Sequence, residues 1–241
     1  MNYFLNYSVY IFFGILPSFL WLQFYLRRDV KPEPKSMILK IFFYGMLLTL
    51  PALFFETIFY EKIKLLNLSP FVTLILSMFV GVALVEEFLK FLVVKEKILN
   101  DPEFDEPVDA MIYMIIAALG FAAGENLLIL SPLIRPVFWG EIFKISLLRF
   151  LGATFLHALS SAIIGFFIGL SFFEKQKRGK LLTIGFLLAV LLHGFYNFSI
   201  IEMEKGSEIL IPFSLLMISA VFISFGFKKL KKIDISHKQN I

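Results

Sequence analysis

Two adjacent carboxylates and a lysine stand in the middle of an apolar run, Val82-Ala83-Leu84-Val85-Glu86-Glu87-Phe88-Leu89-Lys90-Phe91-Leu92-Val93-Val94. A charged side chain at the centre of a bilayer costs on the order of 2.5–3.5 kcal/mol on insertion scales, and two like charges cost more than twice one. Lys90 follows Glu86 by four residues and Glu87 by three, so an internal ion pair offsets part of that cost. One base does not balance two acids. Residues kept against such a penalty face a bundle interior or a watery cavity and act there. The alternative is a solvated helix end with the acids just outside the lipid. Leu89, Phe91, Leu92, Val93 and Val94, continuing past them, oppose it.

Three later apolar stretches repeat the pattern. In Phe121-Ala122-Ala123-Gly124-Glu125-Asn126, Phe121 and Glu125 are one helical turn apart. So are His157 and Ser161, with Ser160 beside them, and His193 and Asn197 in His193-Gly194-Phe195-Tyr196-Asn197. A lone buried histidine is usually a packing residue. Three glutamates and two histidines on four successive stretches are too costly to bury separately, so they are expected to converge.

Such a set suits hydrolysis. A buried glutamate beside a second acid can take a proton from water as general base, and a histidine can stabilise the oxyanion or protonate the leaving amine. Asn126 and Asn197 are neutral donors suited to an oxyanion or to orienting a histidine. A second version binds zinc: His157, His193 and either Glu125 or Glu86 make the two-imidazole, one-carboxylate set of a catalytic zinc, with another glutamate as base. Residue types do not choose between these versions. The sequence has no His-Glu-x-x-His, no Gly-x-Ser-Gly and no Gly-x-Gly-Asp within a span. Ser161 is within reach of His157, but adjacent turns of one helix rarely make a working nucleophile–base pair.

The elements that must position these residues are membrane helices. Mean hydropathy is +0.82 and only 17% of residues are charged, which places the chain among polytopic membrane proteins. Seven apolar stretches reach the ~20 residues needed to cross the hydrocarbon core, near 7–26, 38–60, 69–98, 108–131, 146–172, 180–201 and 208–227. The expected fold is an all-α bundle of about seven transmembrane helices forming one domain over 1–241, its motif-bearing core near 80–200. Pro17, Pro51 and Pro212 fall inside or at the ends of spans, where neighbouring helices can satisfy the freed carbonyls. The chain contains no cysteine, which excludes disulfides, thiolate metal sites and a cysteine nucleophile. The first 25 residues lack a basic leader and a small-residue cleavage site, so they read as an uncleaved span.

The basic residues report topology rather than nucleic-acid binding. Arg27, Arg28, Lys31, Lys35, Lys40, Lys95, Lys97, Lys175, Lys177, Arg178, Lys180 and the cluster Lys228 to Lys232 follow spans 1, 3, 5 and 7. Lys62, Lys64, Arg135, Lys144, Arg149 and Lys205 fall on the other side. The positive-inside rule then puts the N-terminus outside and the C-terminus in the cytoplasm. At 1.5 Å per residue from the cytoplasmic ends, Glu86 and His193 lie roughly 20 Å deep, and His157 and Glu125 near 25 Å. All fall beyond the midplane of a core about 30 Å thick, towards the outer leaflet. Small residues on the same helices, Gly120 and Gly124 among them, indicate close helix packing.

Read in order, Glu86-Glu87-x-x-Lys90, then Asp105-Glu106-Pro107-Val108-Asp109 leading into Gly120-Phe121-Ala122-Ala123-Gly124-Glu125-Asn126, then His157-Ala158-x-x-Ser161 and His193-Gly194-x-x-Asn197 resemble the PrsW family of intramembrane proteases. That family is related to the CAAX-processing and bacteriocin-immunity proteases. The resemblance covers about residues 80–200. It implies endoproteolysis, at or outside the outer surface of the cell membrane, of membrane-anchored substrates, single-span anti-sigma factors among them. It also implies Glu86, Glu87, Glu125, His157 and His193 as the functional set, supported by Lys90, Asn126, Ser161 and Asn197. The family is described both as glutamate-dependent and as metalloprotease-like, so the cofactor stays open. Asn197 stands where some relatives carry aspartate, leaving a donor and acceptor but no charge.

Lesser features have plainer readings. Asp105, Glu106 and Asp109 suit a helix N-terminus and its dipole. Arg149, two turns before His157, either snorkels to the interface or pairs with Glu125 or a substrate carboxylate. Trp21 and Trp139 sit where interfacial anchors belong, and His237 lies in the tail. Two rivals use the same residues. A proton-coupled transporter would use them as a relay and would carry paired broken helices or an inverted repeat, neither evident in the sequence. A non-catalytic scaffold or immunity protein would bind a membrane partner through the same cavity.

Overall fold

The structure is a computed structural model that describes residues 3–238 except 30, 100, 103, 135–138 and 204–209. Arg135 and Lys205, used above for topology, lie outside the described residues, as does the side chain of His237. Among the described residues ten α-helices follow in order: α1 (Tyr3–Leu26), α2 (Lys35–Leu47), α3 (Thr49–Leu65), α4 (Pro70–Leu76), α5 (Val85–Lys97), α6 (Asp109–Leu130), α7 (Trp139–Leu151), α8 (Ala153–Phe173), α9 (Arg178–Met203) and α10 (Leu210–Lys238). They make seven stretches long and apolar enough to cross a membrane: Asn6–Leu26, Lys35–Leu65, Pro70–Lys97, Asp109–Leu130, Trp139–Phe173, Lys175–Ile201 and Leu210–Ile235. The seven expected spans are all present. No strand occurs among the described residues.

Three spans are interrupted where the sequence reads as continuous apolar helix. Span 2 breaks at Leu48, between α2 and α3. Pro51 has no N–H for the carbonyl of Leu47, and the Thr49 hydroxyl compensates nearby by donating to the carbonyl of Met46. Span 3 carries a π-helical segment, Ser77–Leu84, between α4 and α5, immediately before the paired glutamates. Span 5, at 35 residues, exceeds a core about 30 Å thick. It divides at Gly152, so α7 leaves the line of α8.

α6 is the axis of the bundle. Every residue from Asp109 to Gly124 is buried, and α1, α2, α5 and α8 pack around it. This helix is apolar on all sides, as expected of one enclosed by others. Outward-facing Leu39, Leu50, Phe54, Ile218 and Phe225 are exposed on the surrounding helices and present an apolar exterior to lipid. In lipid, helices associate through close packing, and small residues let backbones meet. A Cβ on Gly45 would collide with the carbonyl of Ala117, and one on Gly120 with the carbonyl of Phe42. The α2–α6 crossing is therefore backbone against backbone. Gly120→Val is expected to destabilise the protein by at least the ~3 kcal/mol upper end of ordinary overpacking. The check is a fall in thermal midpoint in detergent, with Gly179→Val, which has open space around its Cβ, unchanged.

Two peripheral readings change with the structure in view. Trp21 is a tie between helices rather than an interfacial anchor: its indole N–H donates to the carbonyl of Phe150 at 2.8 Å and its ring stacks on Phe155 at 4.0 Å. Asp109 does more than complement a helix dipole. Its Oδ2 accepts the backbone N–H groups of Asp105 and Glu106 at 3.1 and 2.7 Å, fixing the loop into α6. Lys31 closes the same loop onto Asp105 at 3.0 Å and Glu106 at 3.5 Å. Burial pushes the nearby Glu33 carboxyl above the usual carboxylate range, and the hydroxyl of Tyr113 opposes that shift by donating to it.

Candidate active site

The polar residues of spans 3 to 6 meet in one cluster. Glu86, Glu87 and Lys90 project from the first turns of α5, Glu125 from α6, His157, Ser160 and Ser161 from α8, and His193 from α9. Glu86, Glu87, Lys90, His157 and His193 are each no more than 4% exposed. Burial on this scale is tolerated only with partners, and nearly every polar atom has one.

Glu87 is the most heavily bonded. Its Oε1 accepts from Lys90 Nζ at 2.8 Å, Ser160 Oγ at 2.9 Å and His193 Nδ1 at 2.9 Å, and its Oε2 accepts from Ser161 Oγ at 2.7 Å. Ser161 thus bonds Glu87, not His157. Glu125 lies on the other side of the cluster. Its Oε2 is 2.9 Å from His157 Nε2 and 2.6 Å from the Arg149 guanidinium. Arg149, at the last turn of α7, also donates to the Asn126 side-chain oxygen, so it is committed inward and does not snorkel. Asn126 spends its amide on the Gly14 carbonyl at 3.1 Å and Thr154 Oγ1 at 3.3 Å, bracing four helices rather than facing the histidines. Asn197, half-buried one turn beyond His193, makes no hydrogen bond to the cluster among the described residues.

These bonds fix both imidazole tautomers. A carboxylate only accepts, so His157 donates its Nε2–H to Glu125 and His193 donates its Nδ1–H to Glu87. The bare nitrogens, His157 Nδ1 and His193 Nε2, then lie 3.5 and 3.8 Å from Glu86 Oε2. Glu86, His157 and His193 each offer a ligand atom within 4.8 Å of the others, while Glu125 sits behind His157. Two imidazoles and a carboxylate, each imidazole backed by a second carboxylate, match the donor chemistry of a catalytic zinc site. The residues fit that ion.

One acid escapes sequence reasoning. Glu56, half-buried on α3, interacts electrostatically with Glu86, Glu125 and Lys90 and has no hydrogen bond or ion pair among the described residues. The available signal was a lone carboxylate within span 2, which is by itself a reason to suspect function. With carboxylates ionised, Glu56, Glu86, Glu87 and Glu125 stand against Lys90 and Arg149, leaving two negative charges in excess. The cluster opens along Glu56, Glu125 (side chain 29% exposed) and Arg149 (14%).

A helical membrane bundle with glutamates and histidines buried together in its core has the make-up expected of an intramembrane hydrolase. Residues 33–225 match the family model described as PrsW family intramembrane metalloprotease. The chain is 35% identical over 193 residues to Protease PrsW of Geobacillus kaustophilus, covering 80% of each chain. It is 32% identical over 222 residues to Protease PrsW of Bacillus subtilis, covering 91% of this chain and 93% of that one. No solved structure matches it. The chain belongs to the PrsW family of intramembrane proteases, as a multi-pass protein of the cell membrane.

Proposed function

We propose that the chain is a zinc-dependent endopeptidase that cleaves single-span membrane-anchored proteins, anti-sigma-factor-like proteins among them, towards the outer face of the membrane. The observation that carries this is the convergence of two bare imidazole nitrogens on Glu86 Oε2. Glu86, His157 and His193 would hold the ion, which when bound polarises the scissile carbonyl and lowers the pKa of water. The other residues keep that set in order. Glu87 and Glu125 hold the histidines in the tautomers that turn an unprotonated nitrogen towards Glu86. Arg149 fixes Glu125 from behind. Glu56, with no hydrogen-bonding partner at the open side, takes the proton from water as general base and returns it to the leaving amine.

The substrate enters along Glu56, Glu125 and Arg149. A membrane-anchored peptide reaches that opening laterally, and the apolar exterior around it favours an apolar flank on the substrate. The topology inferred from the basic loops, with the N-terminus outside and the C-terminus in the cytoplasm, puts the opening nearer the outer leaflet. The test is cleavage of single-span anti-sigma-factor-like substrates by the full chain in proteoliposomes. A strong chelator is expected to abolish cleavage and zinc to restore it. Glu56→Gln is expected to retain zinc and lose roughly 10²-fold or more in turnover. Cleavage indifferent to chelator would exclude the metal and return the chemistry to a glutamate-activated water.

A further inference from the structure

Among the described residues Lys90 is the one cation inside the sealed part of the cluster, and it lies against the ligand set itself. Its ammonium has three N–H donors, and all three are used: Glu86 Oε2 at 3.1 Å, Glu87 Oε1 at 2.8 Å and His157 Nδ1 at 2.8 Å. Two of those acceptors, Glu86 Oε2 and His157 Nδ1, are atoms that would bind the ion. An ion on His157 Nδ1 needs the lone pair that Lys90 occupies. Bound at about 2.1 Å, it would lie no more than about 5 Å from the ammonium, with no room for water to screen the two positive charges.

Resting on the zinc reading above, we propose that Lys90 is a built-in competitor for the metal, a positioning residue that holds the ligands together before the ion binds and yields its place when the ion enters. The exchange has somewhere to go. The ammonium keeps its bond to Glu87, which is not a ligand, and lies 4.6 Å over the ring of Phe121, a face that attracts cations. Loading is then one cation replacing another on shared acceptors. It sets metal affinity lower than the donor set alone would give, and it spares Glu86 and Glu87 from standing as unbalanced charges in a dry bundle.

The experiment uses the full chain in detergent, with zinc affinity measured by competition against a chromophoric chelator and thermal midpoints recorded with and without zinc. Lys90→Met is expected to bind zinc roughly tenfold tighter or more than the natural chain, because a like charge beside the ion is removed. It should melt lower than the natural chain without zinc, and gain more in midpoint when zinc is added. Lys90→Arg, which keeps the charge, should stay near the natural affinity. If Lys90→Met does not fold, Lys90→Gln, neutral but still a donor, should show the same tightening. Equal or weaker zinc binding in the neutral variants, with His193→Ala clearly weakened, would overturn the competitor role and leave the metal site standing. Zinc binding absent from the natural chain and the neutral variants would overturn both.

Discussion

Glu86→Gln is expected to leave a folded protein that cuts its substrate at least roughly a hundredfold more slowly. Glu86 Oε2 is the point on which both bare imidazole nitrogens converge, and its only hydrogen bond among the described residues is to Lys90. The amide keeps the shape and can still accept from that ammonium, so little is lost from packing. What is lost is the negative charge, which is needed whether Glu86 holds an ion or takes a proton. Single-turnover cleavage in proteoliposomes measures the first effect, and helicity with thermal midpoint measures the second. A Glu86→Gln protein that cleaves at the natural rate would remove Glu86 from the chemistry.

Its neighbour should behave in the opposite way. Glu87→Leu takes the acceptor from Lys90, His193, Ser160 and Ser161 at once, and leaves the buried lysine with Glu86 as its remaining carboxylate partner. Breaking one partner of a buried pair typically costs about 3–5 kcal/mol. The thermal midpoint in detergent is therefore expected to fall steeply, and zinc affinity to fall by roughly 10–100-fold as His193 loses the bond that orients it. A Glu87→Leu protein as stable as the natural chain would mean that the four bonds are not what holds α5, α8 and α9 together. Adjacent in sequence, the two acids separate in the proposed site into a group that faces both imidazoles and a fastening.

That separation was not legible in the sequence. Glu86 and Glu87 point about 100° apart on a helix, and nothing in the chain says which direction holds the serines. What could be read was the cost of burying charge: the penalty on five ionisable residues required them to meet, and they do. Spacing also identified the faces, since His157 with Ser161 and Glu86 with Lys90 recur one turn apart. Partnership across helices was mostly hidden. Ser161 lies one turn from His157 on the same face, yet bonds Glu87 from a different helix. Arg149 carried two readings, a surface anchor or a partner of Glu125, and the break at Gly152 goes with the second. Glu56 was hidden for a simpler reason, standing alone with no second charged residue or histidine within a helical turn to mark its face.

The π-helical segment Ser77–Leu84 has a consequence for how this chain tolerates changes in length. A π turn takes in one residue more than an α turn, so it acts as a slack link between α4 and α5. Rewinding the same residues as plain α-helix would turn everything after it by about 100° relative to everything before, whereas losing one residue at the same time would leave that phase nearly unchanged. Such a turn in an ordinary lipid-facing helix would merely exchange one apolar face for another. Here it would swing Glu86 and Glu87 towards hydrocarbon while α6, α8 and α9 stayed where they are. The segment that looks most expendable in the sequence, eight small and apolar residues without a charge, therefore sets the angular phase of the whole site.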